Sequence, residues 1–143
     1  MADAKTQADS FEWALMAHEL KYERKGDEEQ PLFELGFGGG DFKYNHVSIF
    51  VVFDSDGASV QLVSSPIARI PIEKTSGMLL AINDVNCRFR WVKMYLDRDN
   101  DLVAEADLII DEYTAGESCV ELVMRMASII DDAYADLMKA LWA

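Results

Sequence analysis

Asp97, Asp99 and Asp101 stand at alternate positions, the spacing with which a calcium-binding loop opens. Such a loop needs glycine at position six and a bidentate glutamate at position twelve, where this chain has Leu102 and Leu108. A hairpin turn is the expected reading. The run Gly36-Phe37-Gly38-Gly39-Gly40 has the glycine density of a phosphate cradle, yet no Lys-Ser/Thr pair follows it. It leads into strand-like residues where a helix N-terminus is required, and so reads as a flexible turn. His18, His46, Cys87 and Cys119 are far apart and lack paired ligand spacing, so no zinc site is expected. Arg88, Phe89, Arg90 and Trp91 interleave base and aromatic, as single-stranded nucleic-acid binders do. Two arginines in an acidic chain are expected instead to pair with Glu105 and Asp107. Ser64, Ser65, Ser118 and Ser128 have no histidine or nucleophile-elbow context. Asn83 and Asn86 are expected to cap a helix and start the turn into Cys87. No catalytic, cofactor-binding or metal-binding residue is assigned, and no cofactor is expected.

The elements that carry these residues follow from periodicity. Thr114 with Glu117 forms a capping-box pattern, which predicts a helix start near Ala115. Val120, Val123, Ala127, Ile130, Tyr134, Leu137 and Leu141 then recur at steps of three and four, one stripe of a helix running to Trp142. A second stripe, Cys119, Leu122, Met126, Ile129 and Ala133, widens the apolar face. At ~1.5 Å per residue the helix would be on the order of 40 Å long.

Two strands are predicted before it. Arg88 to Leu96 alternates Phe89, Trp91 and Tyr95 with Arg88, Arg90, Val92 and Met94, and Leu102 to Asp111 alternates aliphatic with largely acidic residues. Upstream, Phe11, Ala14, Leu15, His18 and Tyr22 share one face of a helix over Asp9 to Lys25, capped by Asp9 or Ser10. Leu32 to Leu35 reads as a short extended piece among loops. His46 to Asp54, Ala58 to Ser64 and Ile67 to Ile72 read as strands, with Asp56-Gly57 as a turn and Pro71 marking an edge or an end. Glu73 to Val85 has helical spacing at Met78, Leu79, Ile82 and Val85. The order helix, three strands, helix, two strands, helix predicts an α+β fold, its terminal helices on one face of an antiparallel sheet.

Residues 1–143 are expected to form a single domain with one core, half of them being hydrophobic. The formal charge is −13, and residues 96–143 hold 12 acids against 3 bases, net −9. Such a surface repels phosphate backbones and anionic lipid heads, so nucleic acid and membrane are poor partners and basic or neutral protein segments better ones. No apolar run reaches the roughly 18 residues of a spanning helix, and Met1 to Ser10 lacks the apolar stretch of a signal peptide. A cytoplasmic protein with reduced thiols is expected.

The stretch Met78-Leu79-Leu80-Ala81-Ile82-Asn83 continuing to Asn86, the Phe89 to Ile110 hairpin with its acidic turn, and Glu117, Cys119 and the ending Leu141-Trp142 resemble the YbjN-like family. That family is described as putative bacterial sensory transduction regulators. Its fold looks like that of type III secretion chaperones. The resemblance implies a non-enzymatic role, a bacterial regulator or a chaperone-like protein that binds a protein partner or client, and it supplies no catalytic residues. The alternative is a small-ligand sensor or enzyme with an unrecognised site. A concave pocket with a buried, shifted carboxylate would favour that alternative, and a shallow apolar sheet face the first reading.

If Ile49, Val51 and Phe53 face the helices, alternation sends Phe50 and Val52 to the opposite face. Val92 and Met94 are expected to join them there. These four residues form the expected protein-binding surface, most simply a homodimer interface.

Overall fold

A computed structural model describes residues 2–143. In chain order it contains α1 (Ala4–Ala17), β1 (Glu23–Gly26), β2 (Pro31–Phe37), β3 (Val47–Phe53), β4 (Ser59–Ser64), β5 (Ala68–Arg69), a single 3-10 turn (Ile72–Lys74), α2 (Thr75–Arg88), β6 (Lys93–Leu96), β7 (Asp101–Ile109) and α3 (Ala115–Trp142). The seven strands form one antiparallel sheet, and the fold is α+β with the terminal helices on one face, as the order of elements predicts.

The sheet runs β1-β2-β3-β4-β7, and β7 also pairs with β5 and β6. Leu102 of β7 lies opposite both Ala68 and Leu96, so β5 and β6 must lie on opposite edges of β7. β4 and β5 meet successive parts of the same edge, Ile109 to Glu105 and then Leu102 to Asp101. They are one strand path broken around Pro66, whose ring cannot donate to the ladder.

Alternation decides what each strand buries. Phe33, Leu35, Ile49, Val51, Phe53, Val60, Leu62, Met94, Ala104 and Ala106 point to the helices and are buried. Phe11 of α1 sits among them, its ring centroid 4.9 Å from Phe33 and 5.7 Å from Phe53. The predicted stripe of α3 is buried from Val120 to Leu141, with Tyr134 half-buried at its rim. Gly116 marks where α1 crosses α3: a Cβ there would lie 2.6 Å from the Ser10 carbonyl oxygen, so only glycine permits this approach.

Several predicted boundaries move. α1 starts at Ala4 because Asp3 accepts a hydrogen bond from Thr6 N (2.8 Å), which makes Asp3 the cap in place of Asp9 or Ser10. It ends before Tyr22: Leu20 N donates to Leu15 O and Glu19 N to Met16 O around a left-handed Glu19 (φ 57°). Those two bonds are the Schellman pattern that closes a helix. Leu32 to Leu35 belongs to a full strand, and the charged segment Glu23–Gly26 pairs with it as an edge. The helix predicted to end at Val85 continues to Arg88, which takes Phe89, Arg90 and Trp91 out of the predicted strand. Thr114 and Glu117 do not form a capping box. Asp111 Oδ1 accepts from Tyr113 N, Thr114 N and Thr114 Oγ1 instead, and Glu117 reaches His18 Nε2 at 2.9 Å.

Candidate functional site: the open face of the sheet

All three helices pack on the face that carries Ile49, Val51 and Phe53, either against strands or against one another. Strand alternation sends their neighbours to a face that no helix among the described residues covers. The registers arrange those neighbours in rows. One row runs Glu23, Glu34, Phe50, Val63, Glu105, Lys93 across six strands. The next runs Lys25, Leu32, Val52, Gln61, Asp107. Leu32, Phe50, Val52 and Val63 therefore form an apolar centre, each half-buried by its neighbours alone.

Charged groups close the rim on both sides. Lys25 Nζ lies 2.7 Å from Glu34 Oε1, and Ser48 Oγ donates to Glu34 Oε2 at 2.9 Å. The lysine and the hydroxyl hold the Glu34 carboxyl below its usual range. Across the sheet Lys93 Nζ lies 3.2 Å from Glu105 Oε2, and Gln61 donates to the same carboxylate. That partnership raises the Lys93 ammonium. The face is thus a small apolar patch between paired charges.

Phe50 and Val52 lie on this face as expected. Val92 and Met94 do not: they are 6% and 2% exposed and belong to the core on the helix side. The reason is register. Met94 lies opposite Ala104, an inward residue, and the strand that contains it begins only at Lys93. Asn86, expected to cap α2, lies inside that helix and clamps β6 instead. Its Oδ1 accepts from Met94 N (2.9 Å) and its Nδ2 donates to Met94 O (3.0 Å), occupying the free edge of the strand. Neither periodicity nor burial signals this contact: Asn86 is an exposed residue of α2 that follows the buried Val85.

Apart from the three aspartates between β6 and β7, the other singled-out residues are dispersed. Arg88 pairs with Asp84 (3.0 Å) and Asp136 (2.8 Å), while Arg90 lies over the Trp91 ring at 5.1 Å, so neither meets Glu105 or Asp107 as expected. Trp91 takes a left-handed backbone (φ 75°) that turns the chain from α2 into β6. Gly36 is inside β2, and Gly38 to Gly40 form the connection to β3 with no helix behind it. His46 Nε2 lies 3.2 Å from Ser48 Oγ. Ser64 Oγ and Ser65 Oγ accept from Ala104 N and Ser48 N, bonds that hold the sheet where β4 breaks. Cys119 is buried, which pushes its thiol up to about 12, and Cys87 is exposed. Burial likewise raises the Tyr44 phenol, with Asp131 nearby adding to it, and that hydroxyl donates to Ala127 O at 3.0 Å. Asp97, Asp99 and Asp101 form the turn between β6 and β7. Among the described residues no helix is long and apolar enough to cross a membrane.

The sequence profile of a family described as "YbjN: Putative bacterial sensory transduction regulator" matches residues 7–138. The chain belongs to the YbjN family. A solved structure, the crystal structure of YbjN, a putative transcription regulator from E. coli, has the same fold at 14% identity. Its TM-score is 0.57, with 90% of this chain and 91% of that chain covered. No curated protein matches the chain. The YbjN family is described by a regulatory role and not by a reaction.

Proposed function

We propose that this YbjN-family chain is a non-enzymatic protein-binding module, a regulator or chaperone-like protein, and that its binding surface is the open sheet face centred on Phe50 and Val52. The observation that carries this is the placement of all three helices on one side of the sheet. The apolar row on the other side has no cover from any element among the described residues. Both sheet edges are blunted, β1 by its charges and β6 by Asn86, which favours recognition by the face over strand addition. The carboxylates whose proton affinity shifts, Asp3, Asp9, Glu34 and Asp111, all shift downward, so none is poised as a general acid.

The partner is a second copy of the chain. Six strands at ~4.8 Å and about six residues at ~3.3 Å give a face of roughly 570 Å², so a face-to-face dimer would bury about 1,100 Å² in total. That is near the lower limit for a specific interface and fits a dimer that exchanges with monomer. Both signs of charge on the rim let a two-fold copy set Lys25 and Lys93 against carboxylates. The net charge of −13 on each copy opposes approach, so added salt should strengthen the dimer. Light scattering and circular dichroism on the wild type and Phe50→Asp test this. The wild type should self-associate at tens of micromolar, more so in salt, and the variant should stay folded and monomeric. A monomeric wild type in high salt removes the homodimer, and a globally unfolded variant returns Phe50 to the core.

A further inference from the structure

We propose that the turn between β6 and β7 is a weak calcium site built from the carboxylates of Asp97, Asp99 and Asp101. One oxygen from each lies within 4.8 Å of the other two. Two oxygens bound to one calcium ion at ~2.4 Å each can be no more than about 4.8 Å apart, so each pair meets the distance condition for a shared ion, and a small rotation of the exposed Asp99 side chain would bring all three to it.

An acidic turn alone would not carry this, because exposed carboxylates often cluster without a ligand. The second observation is Asp101. The residue is 6% exposed, and its Oδ1 is the only buried side-chain oxygen or nitrogen among the described residues without a hydrogen-bond partner. The nearest cationic group is Arg69 Nε at 3.5 Å, on a side chain that is 87% exposed. A carboxylate oxygen withdrawn from water that has no hydrogen bond, and only a loose ion pair with an exposed guanidinium, is costly. A divalent cation among the three carboxylates supplies the missing partner, and in doing so displaces Arg69.

The turn is set before any ion arrives. Asp97 Oδ1 accepts from Asp99 N (2.9 Å) and Asp101 N (3.0 Å), which leaves its second oxygen to a ligand. Asn100, with φ 60°, is pinned through Nδ2 to Ile70 O (2.8 Å) and Thr75 Oγ1 (3.0 Å). Little ordering remains to oppose binding. Three hard oxygens on a turn that wraps only one side of the ion suit calcium. Magnesium demands a near-ideal octahedron. Leu102 and Leu108 stand where a complete loop has glycine and a bidentate glutamate, so water must fill the remaining positions. The dissociation constant should accordingly be on the order of 10⁻⁴–10⁻³ M.

Isothermal titration calorimetry of the full chain with calcium chloride, at constant ionic strength, tests the site beside thermal melts. Saturable binding in that range is expected, with the folding equilibrium shifted about elevenfold at ten times the dissociation constant. Asp99→Asn, at an exposed position that spares the fold, should weaken binding at least ~10-fold, and Arg69→Ala, which removes the competing guanidinium, should tighten it. No saturable response up to ~10 mM would overturn the proposal, as would an equal response in Asp99→Asn, which would mark general screening of an acidic protein. Arg69→Ala binding no tighter than wild type would remove Asp101 from the ligand set and overturn it too. An equal response to magnesium would overturn the assignment to calcium.

Discussion

Gly116→Ala and Gly77→Ala make the same chemical change in the first turns of two helices, and they should move stability in opposite directions. At Gly116 a Cβ would stand 2.6 Å from Ser10 O and 3.0 Å from Ser10 Oγ, about 0.8 Å short of ordinary contact with the carbonyl at 3.4 Å. α1 cannot simply recede, because Phe11, the next residue, is wedged against Phe33 and Phe53 at 4.9 and 5.7 Å. Overpacking of this kind costs ~1–3 kcal/mol. Relief of glycine's backbone freedom returns at most ~1 kcal/mol, so the net effect is a loss of roughly 0–2 kcal/mol. At Gly77 nothing lies within 4 Å and the residue is exposed, which leaves only the gain of ~0.5–1 kcal/mol. The two variants should differ by roughly 1–3 kcal/mol in urea unfolding at an unchanged m-value. Equal stabilisation by both would refute the close crossing of α1 and α3.

Truncation after Asp131 removes the fully buried Leu137 and the largely buried Leu141, each worth ~1.5–3 kcal/mol, and Tyr134 beside Tyr44. Against a domain stability of ~5–15 kcal/mol the fragment should lose its sharp thermal transition, and a retained one would make the end of α3 peripheral. Asp111 titrates below its ordinary 3.8 because Tyr113 N and Thr114 N donate to it, so its contribution is full above the unfolded value and lost as pH falls through the lowered folded one. Asp111→Ala should flatten the fall of stability below about pH 4, and an unchanged slope would remove Asp111 as the residue that fixes the turn into α3. With its thiol raised to about 12 by burial, Cys119 should stay silent toward a thiol reagent in the native state while Cys87 reacts. Two fast thiols would contradict the packing of α3.

Long, strongly periodic stretches were readable directly: the α3 stripe and the inward alternation of β3 both lie where spacing puts them. Short stretches were not, because over four or five residues a helical and an extended pattern can fit the same apolar positions. Phe89, Trp91 and Tyr95 look like one side of a strand, yet Arg88 stays helical through pairs with Asp84 and Asp136, and the chain reverses at Trp91. Nothing about tryptophan announces a left-handed backbone. β1, with the sequence Glu-Arg-Lys-Gly, has no apolar residue to alternate. It is held by Arg24, which meets Asp9 (2.9 Å) and Glu12 (2.8 Å) and lies 5.2 Å over Phe33. The capping-box pattern at Thr114 lost to an aspartate three residues upstream that could serve two amides at once. On the candidate face the reading of Phe50 and Val52 needed only alternation, whereas that of Val92 and Met94 needed a register that only the three-dimensional pairing supplies.

The crossing of α1 with α3 joins the first helix of the chain to its last, and β7 must be in place before β4 has a partner on its far side. During synthesis on the ribosome, α1 and the strands β1 to β4 emerge with their apolar faces before either covering element exists. Such long-range closure folds slowly and leaves nascent apolar surface open to wrong contacts. A chain arrested before residue 115 lacks the helix that covers α1 and β7, and it is expected to be cut by a protease that leaves residues 2–143 intact.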